Sequence, residues 1–320
     1  MRDYQLTNKI TVLVNSCDAY CDLWFPFFTL FKKYAGALNN VDILLNTESK
    51  EYYMDGLNIR CVHPDDKSAP YGSRMINALH QIKTPFVLSL LDDFFLRKPA
   101  NIEEVIQIIQ WMDDDESIAY FNCDATPVYT KIQDDRYQEY RRIPIANEYT
   151  LNMQAAIWRT DILTDLWSPY VSPWEWEVIY NLKAARSDKY KFYCKEEQNT
   201  GYINYGFELS GGIWGVYRGK WVRTDVEPFF LSEGINLDFS KRGFYTPDEN
   251  KESSFKKEPF IIRNIRFWAS QIKLICRIMP EYLVDYIAFS VSQAFGNKQY
   301  SLNEYAKYKI KNIRDRVHKE

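Results

Sequence analysis

The residues Phe86-Val87-Leu88-Ser89-Leu90-Leu91 form an apolar run that stops at two adjacent carboxylates, Asp92 and Asp93, and resumes at Phe94. Thr84-Pro85 and Lys98-Pro99 bound it, so it reads as a strand rather than a helix. A strand with no polar alternation is covered on both faces, the condition of a parallel sheet between helical layers. In such sheets ligands gather outside the carboxyl ends of the strands, where Asp92 and Asp93 would emerge. Neighbouring carboxylates repel one another and resist burial unless a cation or a basic group compensates them. A hard divalent ion that also holds a substrate phosphate is one such partner. A helix cap or a solvated turn is the other reading of the pair.

Strand and helix signals alternate around this run. Residues 10–16, 41–46 and 59–62 are β-branched or apolar and read as strands. A helix is expected over 23–34, with Trp24, Phe27, Phe28 and Phe31 on one face, and another over 74–82. Residues 102–112 carry Glu103 and Glu104 in a first helical turn, where the macrodipole favours acid. A further strand is expected at 118–122, a polar excursion at 124–147 and a helix over 160–167. Ser172-Pro173-Trp174-Glu175 has the order of a capped helix start, with Glu175 three residues past the cap. Glycines and aromatics alternate from 202 to 223, as in a hairpin or irregular strands. The sum is an α/β chain with βαβ connections. Three regions are expected: a catalytic domain over 1–231, a polar linker over 232–258, and a basic amphipathic helical extension over 259–320.

Charge separates the last region from the rest. From Lys256 onward 13 Lys or Arg stand against 6 Asp or Glu, a net +7, whereas the first 255 residues carry −10. A basic amphipathic segment on an acidic body fits an anionic membrane surface better than nucleic acid. The six cysteines include no C-x-x-C pair, and three histidines argue against a His-based zinc site. No apolar run reaches the roughly 18–20 residues of a spanning helix, and no secretory leader opens the sequence. The expected location is the cytoplasm, at the inner face of the membrane. The aromatic share of 16%, with 24 Tyr and 9 Trp, suits stacking on sugar rings as well as core packing.

The pieces Val12-Leu13-Val14-Asn15-Ser16, Tyr71-Gly72-Ser73-Arg74, Leu90-Leu91-Asp92-Asp93-Phe94, Gln154-Ala155-Ala156-Ile157-Trp158-Arg159 and Pro173-Trp174-Glu175-Trp176-Glu177 occur in that order across residues 10–225. In this order they resemble GT-A glycosyltransferases, most nearly the family-2-like nucleotide-sugar transferases of bacterial surface polysaccharide synthesis. The resemblance implies a Rossmann-like, mostly parallel sheet flanked by helices. It also implies a nucleotide-sugar donor, with UDP-sugars favoured, and a divalent metal, Mn²⁺ or Mg²⁺. In that family a D-x-D triplet ends the central strand and its last acid reaches the metal. Here the triplet is Leu91-Asp92-Asp93, which lacks the first acid, so Asp93 corresponds to the ligand, with Asp92 beside it, and the need for metal is left open. Ser16, Asp18, Glu48, Arg74 and Asp92 match the family's contacts to the nucleotide-sugar. Gln154, Trp174 and Trp176 match its acceptor side, and Glu175 or Glu177 its general base.

Transfer to a hydroxyl needs a base for the acceptor proton and positive charge for the departing diphosphate. Glu177 is favoured as the base because Glu175 already has a structural role as capping acid. The expected function is inverting transfer of a sugar to a glycan or lipid-linked acceptor. The alternatives are a non-catalytic sugar-binding or assembly protein and a nucleotidyltransferase, though no Gly-rich phosphate loop follows the first strand.

Overall fold

A computed structural model describes residues 5–124, 132–143, 151–169, 171–177, 190–197, 201–205 and 215–246. Strands β1 (Ile10–Asn15), β2 (Ile43–Asn46), β3 (Ile59–Val62) and β4 (Phe86–Leu91) pair in parallel in the order β3-β2-β1-β4. Beyond β4 the sheet continues through β8 (Ala156–Arg159), antiparallel to both β4 and β5 (Ile118–Asn122). Parallel pairing then resumes between β5 and β9 (Lys191–Lys195). The edge is formed by β7 (Tyr140–Arg142) and β6 (Ile132–Gln133), giving nine strands. This is the mostly parallel, helix-flanked α/β architecture that the resemblance implies.

The missing polar alternation has its cause in this arrangement. Ile10, Val12 and Val14 of β1 and Phe86, Leu88 and Leu90 of β4 face one buried cluster with helices α1 (Cys21–Tyr34) and α3 (Ile102–Asp114). Leu13 and Val87 face a second cluster, with α2 (Tyr71–His80) and α4 (Thr160–Asp165). Both faces of the strands are dry, so both sets of side chains are mainly apolar, and the buried polar exceptions Thr11, Asn15 and Ser89 are hydrogen-bonded. Asn101 caps α3 by accepting the Glu104 N–H at 3.2 Å, and the Ser73 N–H at the start of α2 donates to Pro169 O at 3.0 Å. Each bond satisfies an amide that its helix leaves without an internal partner.

Two sequence expectations are corrected. The 124–147 excursion includes β7 and the edge strand β6, which its polar composition concealed. Residues 232–246, read as the start of a linker, pack on the sheet-bearing body. Trp221 of the hairpin β10 (Val216–Tyr217) and β11 (Lys220–Trp221) exchanges backbone bonds with Gly243 and Tyr245, at 3.0 and 2.8 Å. Its indole also packs against Phe95, Phe230 and Phe239. The rest of the linker and the extension at 259–320 lie outside the described residues. No helix among the described residues is long and apolar enough to cross a membrane.

Candidate functional site

The site forms where β1, β2 and β4 end and α2 begins. Beneath it lies a polar floor: the Asn15 amide donates to Ser89 Oγ at 3.1 Å, and the Asn46 amide to Asn15 Oδ1 at 3.4 Å. Apolar strands carry these amides at their last positions because the chain ends are closest to solvent and ligand.

Ser16, Asp18, Glu48 and Arg74 come together at these strand ends, largely to hold one another. Asp18 accepts from the backbone N–H of Glu48, Ser49 and Lys50 at 3.2, 3.0 and 3.1 Å, and from Ser49 Oγ at 2.6 Å. Burial pushes its carboxyl up, yet these bonds outweigh that effect and hold it at about 2. The Asp18 side chain is therefore a clamp on the loop after β2 rather than a free contact for a nucleotide. Glu48 accepts the Asp18 N–H through Oε2 and pairs through Oε1 with Arg74 Nη1 at 2.9 Å. Arg74 is buried, with Nη1 donating to Ser16 O at 3.3 Å and its guanidinium over the Tyr71 ring at 5.3 Å.

The clamp gives an acid-side prediction. A carboxylate whose folded pKa is depressed stabilises the fold above its unfolded pKa, near 3.9, and loses that contribution as pH falls through its folded value. Asp18→Ala is expected to melt a few degrees below wild type at pH 7. The gap should narrow as pH falls from about 4 towards about 2, the folded value. A gap in melting temperature that stays constant across this window would contradict the clamp.

The paired acids differ from each other. Asp92 is buried and accepts from Ser16 Oγ, which itself accepts from the Trp24 indole N–H at 2.7 Å. Burial, then the charge of Asp93, pushes the Asp92 carboxyl well above the usual range, against the pull of Ser16, Trp24 and Arg242. Asp93 is half-buried, and burial raises it to about 6 against its own backbone amide and the charge of Arg242. The Ser16 hydroxyl holds Asp92, and Asp93 is the more open of the two acids.

Arg242 was hidden in the presumed linker. Its Nε and Nη2 grip Asp22 at 2.7 and 2.6 Å, Nη2 reaches Ala19 O at 2.9 Å, and the guanidinium lies 4.2 Å from the Tyr20 ring centre. It ties Ala19 of the loop after β1 and Asp22 in the first turn of α1 to the turn at Gly219, whose carbonyl it meets at 3.2 Å. No local signal in a polar segment announces a partner 220 residues away.

Glu177 accepts the Met153 N–H at 2.8 Å, and burial raises its pKa against that bond. Gln154 sits in the same turn, its N–H donating to Asn152 Oδ1 at 3.2 Å. Trp174, in the short helix α5 (Pro173–Glu175), is 75% exposed. Trp176 is corrected to a core residue: its indole stacks on Trp167 at 5.0 Å and donates to Leu166 O at 3.0 Å. The Glu175 side chain and the helix expected to continue to residue 185 lie outside the described residues, apart from residues up to 177.

Among the described residues no cluster of three or more His, Cys, Asp or Glu could hold a metal alone. The donor set of Asp93 with Asp92 fits an ion that arrives with substrate phosphates, since Mg²⁺-type sites use one or two carboxylates and complete their shell with phosphate and water.

Neither a family model nor a curated protein matches the sequence. Among solved structures, the chain is similar to S. aureus TarS 1-349 at 17% identity and a TM-score of 0.42, covering 58% of this chain and 60% of that one. The same TarS fragment in complex with UDP-GlcNAc gives 19% identity and a TM-score of 0.40, over 59% of each chain. CMP:2-keto-3-deoxy-manno-octonic acid synthetase complexed with CTP gives 12% identity and 0.36, over 64% of this chain and 97% of that one. These likenesses are partial in length and in superposition, so the functional reading rests on the geometry of the site itself.

Proposed function

We propose that the chain is a glycosyltransferase that moves a sugar from a nucleotide-sugar, UDP-linked by preference, to a hydroxyl of a glycan or lipid-linked acceptor, with inversion. The observation that carries this reading is the pairing of two unlike carboxylate centres. Asp92 and Asp93 follow the last residue of β4, and Glu177, with its pKa raised by burial, is close enough to that end for its charge and that of Asp92 both to act on Tyr71. Ligands of parallel sheets bind outside such strand ends.

In this scheme Glu177 accepts the proton of the acceptor hydroxyl as its oxygen bonds to the anomeric carbon. The bond from that carbon to the diphosphate breaks on the opposite face, which inverts the centre. The basicity of Glu177 suits the task because an elevated carboxylate pKa brings it closer to working pH. Arg74, held by Glu48 and Ser16, places a fixed positive charge beside the diphosphate end. A divalent ion bound with the donor would be held by Asp93, with Asp92 behind it, and would supply charge for the leaving diphosphate.

A thermal-shift panel of UDP, GDP, CDP, dTDP and ADP, each with and without Mn²⁺, tests this reading. A ligand that binds only the folded state raises the melting temperature by mass action, by about 2.7 kcal/mol of stability at a concentration 100 times Kd. UDP is expected to give the largest shift, Mn²⁺ to enlarge it, and Asp93→Ala to abolish the Mn²⁺ increment. A protein indifferent to every nucleotide would instead be a sugar-binding or assembly protein, to be assayed with glycans.

A further inference from the structure

Tyr71 took no part in the scheme above, yet it occupies the junction between its two halves. Its ring lies under the Arg74 guanidinium at 5.3 Å and against Trp167 at 5.6 Å, and Trp167 stacks on Trp176, the neighbour of Glu177. The aromatic row therefore runs from the Arg74–Glu48 pair to the proposed base. The Tyr71 hydroxyl is shut off from solvent and has no hydrogen-bond partner among the described residues, and the same is true of the indole N–H of Trp167. Buried polar groups in folded proteins are almost always paired, because an unpaired one costs about 1–3 kcal/mol. The two rings are in contact, and a ligand group that reached these two orphan donors would satisfy them. Burial foremost, with the charges of Asp92, Cys17 and Glu177 against that of Arg74, pushes the Tyr71 phenol up, so it remains protonated and donates.

We infer that the Tyr71 hydroxyl donates a hydrogen bond to the sugar of a bound nucleotide-sugar, between the Asp92–Asp93 carboxylates and Glu177. This rests on the glycosyltransferase reading. The sugar, rather than the nucleotide, is the part of the donor that lies between the diphosphate and the base. Tyr71 is then a binding residue that selects for a sugar oxygen within its reach.

Tyr71→Phe keeps the ring on Trp167 and beneath Arg74 and removes only the hydroxyl. The variant is to be compared with wild type in three measurements: melting temperature without ligand, affinity for UDP, and steady-state release of UDP from UDP-glucose, UDP-galactose and UDP-N-acetylglucosamine. The expected result is an unchanged or higher melting temperature and unchanged UDP affinity. With the preferred UDP-sugar, kcat/KM should fall about 10- to 100-fold, because a site built to bond a substrate oxygen discriminates by losing that bond. A melting temperature several degrees lower would make the hydroxyl structural and overturn the inference. Weakened UDP binding would overturn it as well, by moving the contact to the nucleotide. Kinetics equal to wild type would overturn Tyr71 alone and leave the glycosyltransferase standing. A wild-type protein that neither binds nor cleaves any nucleotide-sugar would bring down both.

Discussion

Replacing Gly72 by alanine is expected to destabilise the protein by about 3 kcal/mol or more, against the usual sign of such a change in a helix. Within an ordinary helix, alanine in place of glycine is favoured by roughly 0.5–1 kcal/mol, because it restricts the unfolded chain. Gly72 is the second residue of α2, and its backbone is not in the left-handed region, so conformation alone would permit alanine. Contact forbids it. A Cβ there would lie 2.0 Å from Ser168 O and 3.0 Å from Val171 O, backbone atoms that cannot rotate away. Relief requires α2 to move off residues 168–171, which breaks the two bonds from Ser73 N and Oγ to Pro169 O, each 3.0 Å. Tyr71 and Arg74 would move with the helix, so nucleotide affinity should fall together with stability. Chemical denaturation with an unchanged m-value, alongside UDP titration, reads both. A variant as stable as wild type would mean that α2 does not approach the 168–171 segment this closely.

The second large effect is expected from Glu177→Gln, with stability and turnover moving in opposite directions. In the proposed role of general base, Glu177 would be worth about 10²–10⁴ in rate, and a neutral amide cannot accept the proton. The amide oxygen still accepts the Met153 N–H, so the local geometry is preserved. Burial raises the Glu177 pKa in the folded protein, so between the unfolded and folded values the native state binds the additional proton. Stability contributed by this group therefore falls as pH rises through that window and stays low above it. Removing the charge should leave the melting temperature at pH 7 to 8 equal to or above that of wild type, while turnover collapses. In wild type, kcat/KM should climb with pH along a limb set by Glu177, above the ordinary glutamate value near 4.3, and the limb should vanish in the variant. Residual turnover near the wild-type level would remove Glu177 from the base role and leave Glu175 as the acid to examine.

The sequence was informative where the determining forces are local or periodic. Strands β1, β2, β3 and β4 and helix α3 were legible because unbroken apolar runs and helical spacing report burial directly, and the ends of β4 and α3 carry their own punctuation in Asp92-Asp93 and Asn101. That Ser16, Asp18, Glu48 and Arg74 belong to one site was implied by the resemblance, and the structure brings them together at the ends of β1 and β2 and the start of α2. The roles inside that cluster did not. A window of sequence cannot tell that Asp18 spends its carboxylate on residues 48–50, or that the Ser16 hydroxyl serves Asp92. Nor can it tell that Trp176 is core while Trp174, two residues away, is 75% exposed. In a short helix that difference is set by what packs against it.

The sequence by itself determined the strand–helix alternation, the parallel sheet and the place where its carboxylates emerge, since these follow from hydrophobic period and turn chemistry within about ten residues. Only the tertiary structure decided which partner each polar group receives. Arg242 meets Asp22, and Gly72 meets the carbonyl of Ser168, because the fold brings distant backbone into contact. Tyr71 is left with a buried hydroxyl for the same reason. Such pairings depend on the packing of whole elements, and no local pattern encodes them.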